Sequence, residues 1–222
     1  LTREQMDNFA VESLSRARQA MEDGKLAAEI APVTIATRRG EQVVKEDEQP
    51  HKASIEKIPS LRPAFAEGGT ITAANASSIS DGASALVLTT ESHARHQGLT
   101  PRAEVLAHAR HSQAPAEFTI APIGAIRKVL DKCGWSVDDV DLFEINEAFA
   151  MVTMLAEREL GLDHSKVNVH GGAVSLGHPL GASGARIVTT LNGVLQGNGG
   201  KYGLAAICNG GGGASALIIE KV

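Results

Sequence analysis

A chain of 222 residues with 43% hydrophobic and 21% charged residues is long enough to bury a core as one or two domains. The formal net charge of −5, with both signs mixed along the chain, argues against nucleic-acid binding, and no apolar run approaches the roughly 18 residues of a membrane span. Two cysteines are too few for a disulfide framework, so we expect a reducing, cytoplasmic location.

The first predicted element is a helix close to the start of the chain. Thr2 and Gln5 have the spacing of a capping box, and apolar residues recur at helical intervals from Met6 to Met21. The sequence enters this helix from Leu1 without an initiator methionine. We therefore expect that an N-terminal portion is missing.

A hairpin and a loop-rich stretch are predicted next. Residues 33–37 and 41–44 flank a turn that contains Gly40, and residues 45–70 have several prolines and little periodicity. Two buried strands are then predicted at 71–74 and 83–90. The small polar residues between these two strands are typical of a loop that faces a ligand.

Strand and helix patterns alternate from Pro101 onward. The patterns predict strands at 102–109, 141–145, 166–169, 203–207 and 214–220, and helices at 123–132, 148–160 and 182–195. This alternation predicts an α/β fold in which helices pack on a mixed sheet.

Three predicted junctions of this fold have chemically capable side chains. Asn146 follows a buried strand, and His178 precedes a helix in a glycine-rich loop where Pro179 keeps the histidine out of the helical region. Cys208 ends another strand and is followed by Asn209 and four glycines. Functional groups of α/β folds gather where strands give way to loops, so these three residues are the candidate site.

Each candidate also has a structural interpretation. Asn146 is suited to cap the following helix, and His178 could be a structural residue of its loop. Cys208 is the exception, because packing alone does not require the glycines that follow it. Their backbone N–H groups could stabilise a thiolate and form an oxyanion site. Cys133 lies at a predicted helix end and is interpreted as a small buried hydrophobic residue. The other seven histidines have no metal-ligand spacing, so no metal site is predicted.

Three sequence blocks resemble, in this order, the C-terminal signature blocks of the thiolase family. They are Asn-Glu-Ala-Phe-Ala at 146–150, the run from Asn168 to Gly184, and the cysteine-glycine motif at 208–214. The similarity extends upstream through residues 61–65 and 72–77. It therefore covers essentially the whole chain.

The resemblance implies a thiolase-like αβαβα layered fold, of which this chain is the C-terminal half plus part of the loop domain. On that map residues 1–79 are the remainder of the CoA-binding loop domain. Residues 80–100 close the N-terminal thiolase half, and residues 101–222 form the C-terminal thiolase domain.

The implied function is that of an acyltransferase, acetyl-CoA C-acetyltransferase, which condenses two acetyl-CoA to acetoacetyl-CoA and CoA through a cysteine acyl-enzyme. His178 would activate the nucleophilic cysteine and help form an oxyanion hole, which a water held by Asn146 completes. Cys208 would shuttle the proton of the α carbon, and the backbone N–H of Gly210 would contribute to a second oxyanion hole. No cofactor is expected beyond the coenzyme A thioesters that serve as substrates.

The resemblance also implies contacts to the pantetheine part of coenzyme A, at Phe65, Ala73, Ser77, Ala148 and Phe149. The family's nucleophilic cysteine lies in an N-terminal segment to which the resemblance does not extend. We therefore expect the isolated chain to be inactive and to need that segment as its partner. A homodimer or homotetramer is expected.

Other functions stay open at this point. A longer-chain 3-ketoacyl-CoA thiolase and an inactive CoA-binding fragment are alternatives, whereas Cys208 and Asn146 argue against a decarboxylating ketosynthase. Two departures from the family pattern stand out. Many members have an arginine near the nucleotide at the place where this chain has His51 and Lys52, which leaves open how the CoA phosphates are held. The second departure is Ala214, which replaces a glycine.

Overall fold

The computed structural model describes residues 1–222 and contains one mixed sheet with helices on both faces, preceded by a loop-rich segment. The helices are α1 (Arg3–Glu22), α2 (Glu48–Lys52), α3 (Glu91–Gln97), α4 (Ala121–Cys133), α5 (Ala150–Leu160), α6 (Ala173–Leu176) and α7 (Ser183–Asn198). The strands are β1 (Val33–Thr37), β2 (Gly40–Val44), β3 (Ala103–Ser112), β4 (Leu142–Ile145), β5 (Tyr202–Cys208) and β6 (Gly213–Lys221). None of the helices is both long enough and apolar enough to cross a membrane.

The sheet has the strand order β3-β6-β5-β4. β6 pairs antiparallel with β3 and with β5, whereas β4 and β5 run parallel. This arrangement confirms the predicted α/β fold with a mixed sheet. Since β4 and β5 are parallel, the loops that follow them leave the same edge of the sheet.

Each face of the sheet has its own core. One core joins Leu204 of β5 to Ile126 of α4 and Val152 of α5. The other joins Ala205 of β5 to Leu191 of α7. Adjacent residues of β5 thus enter opposite cores, as the two-residue period of a strand requires, and this central strand is buried on both faces.

Helix α1 begins as the sequence predicts. The Thr2 hydroxyl accepts a hydrogen bond from the Gln5 N–H (3.1 Å), and the Gln5 side chain accepts one from the Thr2 N–H (2.8 Å). The buried face of the helix includes Met6 and Phe9, which pack against Ala150 of α5. Although α1 is remote in sequence, it therefore lies against the C-terminal helices.

Three predicted strands are wrong. Residues 71–74 and 83–90 form neither strand nor helix, and residues 166–169 contribute only a single bridge between Val167 and Phe143. The cause at 83–90 is the lack of a neighbour, because Val87 is 93% exposed and no strand of this chain pairs with it. The predicted division into residues 1–79, 80–100 and 101–222 stays a prediction.

Candidate active site

The candidate residues converge at the edge of the sheet where β4 and β5 end. His178 and Cys208 both line one cleft of about 490 Å³, together with Asn209 and Gly210 of the glycine-rich loop. Asn146 lies behind the cleft wall, where its side-chain Nδ2 is 3.4 Å from Nε2 of His178. Residues from three separate parts of the sequence thus meet at one place.

His178 is held by its backbone and by both ring nitrogens. Its N–H donates to the Ser78 carbonyl (3.1 Å), and Nδ1 is 2.6 Å from the Ser183 hydroxyl. Burial lowers the pKa of the imidazole, and the positive charge of Arg186 lowers it further. The ring is therefore neutral at neutral pH, which is the form that can accept a proton.

Gly177 is needed for the path of the chain into His178. Its φ is +96°, a conformation that side chains rarely adopt, and a Cβ at this position would lie 2.3 Å from the Ser80 hydroxyl. Glycine therefore allows the histidine loop to pack against residues 78–80.

Asn146 does not cap helix α5, whose N-cap is Phe149 without a side-chain hydrogen bond. Its backbone N–H donates to the Ala206 carbonyl (2.9 Å) and continues the parallel pairing of β4 and β5. The side chain is buried, and Oδ1 has no hydrogen-bond partner in the chain. A buried polar atom of this kind is suited to bind a water molecule beside His178.

Asn168 positions the end of β4, a role that the sequence analysis did not predict. Its φ is +47°, and its side-chain amide pairs with Ile145 as a strand backbone would, with Oδ1 accepting from the N–H (2.8 Å) and Nδ2 donating to the carbonyl (2.8 Å). The residue that precedes Asn146 is thereby fixed. The tolerance of Asn for left-handed backbone was the available signal, but it does not predict the distant partner.

Glu147 is the second residue that was missed. Its buried carboxylate accepts hydrogen bonds from the Asn168 amide (2.9 Å), the Ser13 hydroxyl (2.8 Å) and the Val174 N–H (3.1 Å). Burial raises the pKa of Glu147, whereas these donors oppose the increase. Ser13 belongs to α1 and Val174 to α6, so this carboxylate links both helices to the loop that contains Asn146.

Cys208 is 9% exposed, and burial raises the pKa of its thiol to about 11. This differs from the expectation that neighbouring N–H groups would stabilise a thiolate, since desolvation of the charged form outweighs hydrogen bonding. At rest the side chain is a thiol at neutral pH. It can therefore donate a proton before it acts as a base.

The loop after Cys208 is folded around Asn209. Its Oδ1 accepts hydrogen bonds from the N–H groups of Gly211 (3.0 Å) and Gly213 (3.4 Å). Gly212 has a φ of +87°, and a Cβ there would lie 2.3 Å from the Gln113 carbonyl oxygen. Gly210, which lines the cleft, has open space around its Cα.

Three of the five predicted pantetheine contacts lie at the cleft. Ser77, Ala148 and Phe149 line it, and the Ser77 hydroxyl and N–H both donate to the Ala148 carbonyl (2.9 and 3.1 Å). Phe65 is 74% exposed and meets Phe149 edge-on, with ring centroids 6.5 Å apart. Ala73 is exposed outside the residues that line the cleft, and its role stays a prediction.

Phe118 is a further cleft residue that the sequence analysis missed. Its ring lies 6.3 Å from that of Phe149, between centroids, and both line the cleft. The scarcity of phenylalanine, with only five in the chain, was the available signal, but it does not predict that Phe118 lies beside Phe149. Cys133, by contrast, ends α4 and packs partly buried against the core between α4 and the sheet, away from the cleft.

Comparisons with known proteins identify the family of this chain. The thiolase N-terminal domain model matches residues 1–92, and the thiolase C-terminal domain model matches residues 99–221. The chain is 52% identical over its whole length to a probable acetyl-CoA acetyltransferase of Dictyostelium discoideum, and 50% identical to an acetyl-CoA acetyltransferase of Saccharomyces cerevisiae. It spans about half the length of these relatives, covering 54% and 57% of them.

Solved structures show the same fold. The Bacillus anthracis acetyl-CoA acetyltransferase superposes with a TM-score of 0.97 at 44% identity, over all of this chain and 57% of that one. Human mitochondrial 3-ketoacyl-CoA thiolase gives a TM-score of 0.93 at 39% identity, over all of this chain and 56% of that one. With both thiolase domain models matched and the layered α/β fold shared, this chain belongs to the thiolase family.

Proposed function

We propose that this chain forms the His178–Cys208 side of the active site of an acetyl-CoA C-acetyltransferase. The reaction is the reversible Claisen condensation of two acetyl-CoA to acetoacetyl-CoA and CoA. The observation that carries the proposal is the meeting of His178, Asn146 and Cys208 at one cleft lined by Ser77 and Phe149. The names of the relatives from Dictyostelium and yeast support the choice of acetyl-CoA.

The first stage moves an acetyl group onto a cysteine of the enzyme. Nε2 of His178 takes the proton of that nucleophilic thiol, and the thiolate attacks the thioester carbonyl of acetyl-CoA. The new carbon–sulfur bond forms as the bond to CoA breaks. The departing CoA thiolate takes a proton from Cys208, whose raised pKa keeps it a thiol until this moment.

The second stage forms the carbon–carbon bond. The Cys208 thiolate removes a proton from the methyl carbon of a second acetyl-CoA, and the resulting carbanion attacks the carbonyl of the acetyl-enzyme. The bond between the acetyl carbon and the nucleophilic sulfur then breaks, and the departing thiolate takes back the proton that Nε2 of His178 gained in the first stage. This step releases acetoacetyl-CoA and restores the enzyme. A thiolate whose acid has a pKa of about 11 is a strong base for this step.

Fixed donors would stabilise the negative oxygen of both stages. His178, with a water held by Asn146, serves one oxygen, and the backbone N–H of Gly210 serves the other. One such donor is typically worth about 3 kcal/mol in the transition state. The rigid hold on Asn146 through Asn168 and on the glycine loop through Asn209 supports this preorganisation.

The nucleophilic cysteine, in this proposal, lies outside these 222 residues. The chain has only two cysteines, and Cys133 lies in the core packing of α4 with no place in the cleft. Cys208 cannot hold the acetyl group and remove the α proton at the same time. The isolated chain is therefore expected to have no thiolase activity.

The test uses a fused protein, in which this chain follows the N-terminal part of the Saccharomyces cerevisiae relative, so that the family's nucleophile is supplied. Thiolysis of acetoacetyl-CoA is followed by loss of its enolate absorbance, and acylation by transfer of label from acetyl-CoA. We expect the fused protein to be active and the 222-residue chain alone to be inactive. Turnover by the pure chain that disappears in Cys133→Ser would overturn the division of roles between the two cysteines.

Two variants of the fused protein separate the stages. Cys208→Ala is expected to accept the acetyl label, because water can protonate the departing CoA thiolate in place of Cys208. It is expected to lose condensation by about 10²-fold or more, because no other group replaces the second-stage base. His178→Ala is expected to impair both stages, since one imidazole serves both. Cys133→Ser is the matched control and is expected to keep both rates. Normal acetoacetyl-CoA synthesis by Cys208→Ala would contradict the assignment.

A longer-chain 3-ketoacyl-CoA thiolase is the second candidate. The match to human mitochondrial 3-ketoacyl-CoA thiolase, with a TM-score of 0.93, is the observation in its favour. The ratio of kcat/KM for acetoacetyl-CoA to that for a longer 3-ketoacyl-CoA decides between them. We propose a homodimer or homotetramer for the complete enzyme, which sedimentation of the fused protein would test.

A further inference from the structure

We propose that Ser183 is a positioning residue that holds neutral His178 in the tautomer with its proton on Nδ1, so that Nε2 presents a lone pair at the cleft. Its consequence for catalysis rests on the proposed function, whereas the tautomer itself does not.

The geometry around the Ser183 hydroxyl carries this assignment. Ser183 is the first residue of α7 and is 1% exposed. Its Oγ lies 2.6 Å from Nδ1 of His178 and 3.1 Å from the Pro179 carbonyl oxygen. A hydroxyl has one proton and a carbonyl can only accept. When that proton goes to Pro179, Oγ has a lone pair free to accept the Nδ1–H of His178.

The opposite side of the ring favours the same tautomer. The group of Asn146 that approaches Nε2 at 3.4 Å is its Nδ2, which is a donor. A donor there needs a lone pair on Nε2. The hydrogen bonds then run in one direction, from Asn146 through His178 and Ser183 to Pro179. The reverse tautomer would require the Asn146 amide to rotate and the Ser183 hydroxyl to give up Pro179.

The acceptor at the end of this relay is itself fixed. The Pro179 carbonyl also accepts the backbone N–H groups of Ala182 (2.8 Å) and Ser183 (2.9 Å), which form the turn that leads into α7. The hydroxyl therefore cannot rotate without losing a partner that the helix start holds in place. This local rigidity makes the orientation of the imidazole a property of the fold.

The chemical benefit appears in both protonation states of His178. A neutral ring with Nδ1–H offers Nε2 as the base for the nucleophilic thiol, because only the long 3.4 Å contact from Asn146 Nδ2 engages that lone pair and the thiol proton displaces it. Once Nε2 takes that proton, the Nδ1–H bond to Ser183 persists and stabilises the imidazolium. Ser183 thus acts as the third group that orients a nucleophile–base pair. It acts through the histidine and is not among the residues that line the cleft.

The kinetic test uses Ser183→Ala in the fused protein. Loss of one neutral hydrogen bond is expected to slow acylation about tenfold at unchanged KM. The imidazolium loses an acceptor, so the pKa of His178 falls further and the acid limb of the pH–rate profile moves to lower pH. Ser183→Thr keeps the hydroxyl and is expected to restore the rate. Ser84→Ala is the matched control, since its hydroxyl donates to the Ala182 carbonyl (2.5 Å) of the same loop without contacting His178.

The tautomer is read directly by solid-state NMR of the fused protein with ¹⁵N-labelled histidine. The His178 signals are identified by their loss in His178→Gln. We expect a protonated Nδ1 and an unprotonated Nε2 in the parent protein, and a gain of Nε2–H in Ser183→Ala. A parent protein with Nε2–H, or a Ser183→Ala variant with unchanged tautomer and acylation, would overturn the proposal. If the parent fused protein lacks thiolase activity, the proposed function fails while the tautomer spectrum still decides this inference.

Discussion

Strand β5 and residues 83–90 look alike in sequence but have opposite fates. Both contain short runs of aliphatic residues that predict buried strands. In β5, Leu204 is fully buried between β4 and β6, with helices on both faces. In the other segment, Leu88 is 78% exposed, and no backbone N–H of residues 83–90 makes a backbone hydrogen bond.

An apolar run therefore becomes a strand only where another strand can pair with it. β-Propensity measures the fit to a pleated, half-buried surface, so it has no effect without neighbours. In the proposed function the missing neighbour belongs to the N-terminal part of the complete enzyme.

Hydrogen exchange gives the largest contrast. Amides of β5 are expected to exchange at least about 10³-fold more slowly than amides of residues 83–90, because only the former need extensive unfolding to open. In the fused protein the protection of residues 83–90 is expected to rise toward that of β5. Equal protection of the two segments in the isolated chain would break the comparison.

A matched pair of truncations measures the same difference in stability. Leu204→Ala is expected to lower the free energy of unfolding by about 2–5 kcal/mol, because it leaves a cavity in the core. Leu88→Ala is expected to change it by no more than about 0.5 kcal/mol, since the side chain is exposed. Denaturant unfolding of the chain measures both values. A similar loss from both variants would show that residues 83–90 already pack in the isolated chain.

A buried carboxyl of β4 makes the stability of the sheet depend on pH. Glu144 lies 3.5 Å from Nη1 of Arg186, yet burial raises its pKa from 4.5 to about 8. Between pH 4.5 and pH 8 the folded chain keeps this proton, whereas the unfolded chain loses it. The contribution of Glu144 to the free energy of unfolding therefore declines as the pH rises through this range. Relative to the parent, the free energy of unfolding of Glu144→Gln is therefore expected to rise by about 3 kcal/mol between pH 5 and pH 8.

The control for this pH dependence is Glu104→Gln, which changes an exposed glutamate of the same sheet. Its stability relative to the parent is expected to be flat over the same range. Thermal unfolding at several pH values provides the measurement. A flat difference for Glu144→Gln as well would show that the carboxyl is ionised in the folded chain throughout.

The smallest expected effect is at the start of α1. Thr2→Ala removes one side of the capping box and is expected to cost about 0.5–1 kcal/mol. Thr34→Ala, on the exposed hairpin, is the control and is expected to have no measurable effect. The difference between the two variants in free energy of unfolding, measured by denaturant unfolding, shows whether α1 unfolds together with the sheet. No loss from Thr2→Ala would mean that α1 frays independently.

Local patterns predicted much of the fold, because the information lay in neighbouring residues. The capping box of α1, the central strand β5 and helix α7 were all predicted within a few residues. The signature blocks likewise led to His178 and Cys208, which share the cleft. The exposed state of residues 83–90 could not be predicted, since a local pattern does not show whether another strand of the chain pairs with it.

The supporting contacts were missed for a different physical reason. Ser13 and Glu147 are 134 positions apart, and neither lies in a pattern that specifies the other. The pairing of Asn168 with Ile145 depends on one left-handed residue at the end of a short bridge. Such contacts depend on how distant segments are brought together, which local periodicity does not encode.

The hydrogen bond between Ser13 and Glu147 also restricts how relatives of this chain can be recombined. Helix α1 falls within the match to the N-terminal domain model, yet Ser13 donates to a carboxylate beside Asn146. A chimera with a crossover between residues 13 and 147 inherits these two positions from different parents. If one parent supplies Glu147 and the other has no hydroxyl at position 13, the buried carboxylate loses a hydrogen-bond donor. Compatible crossovers are therefore set by this contact as well as by domain boundaries.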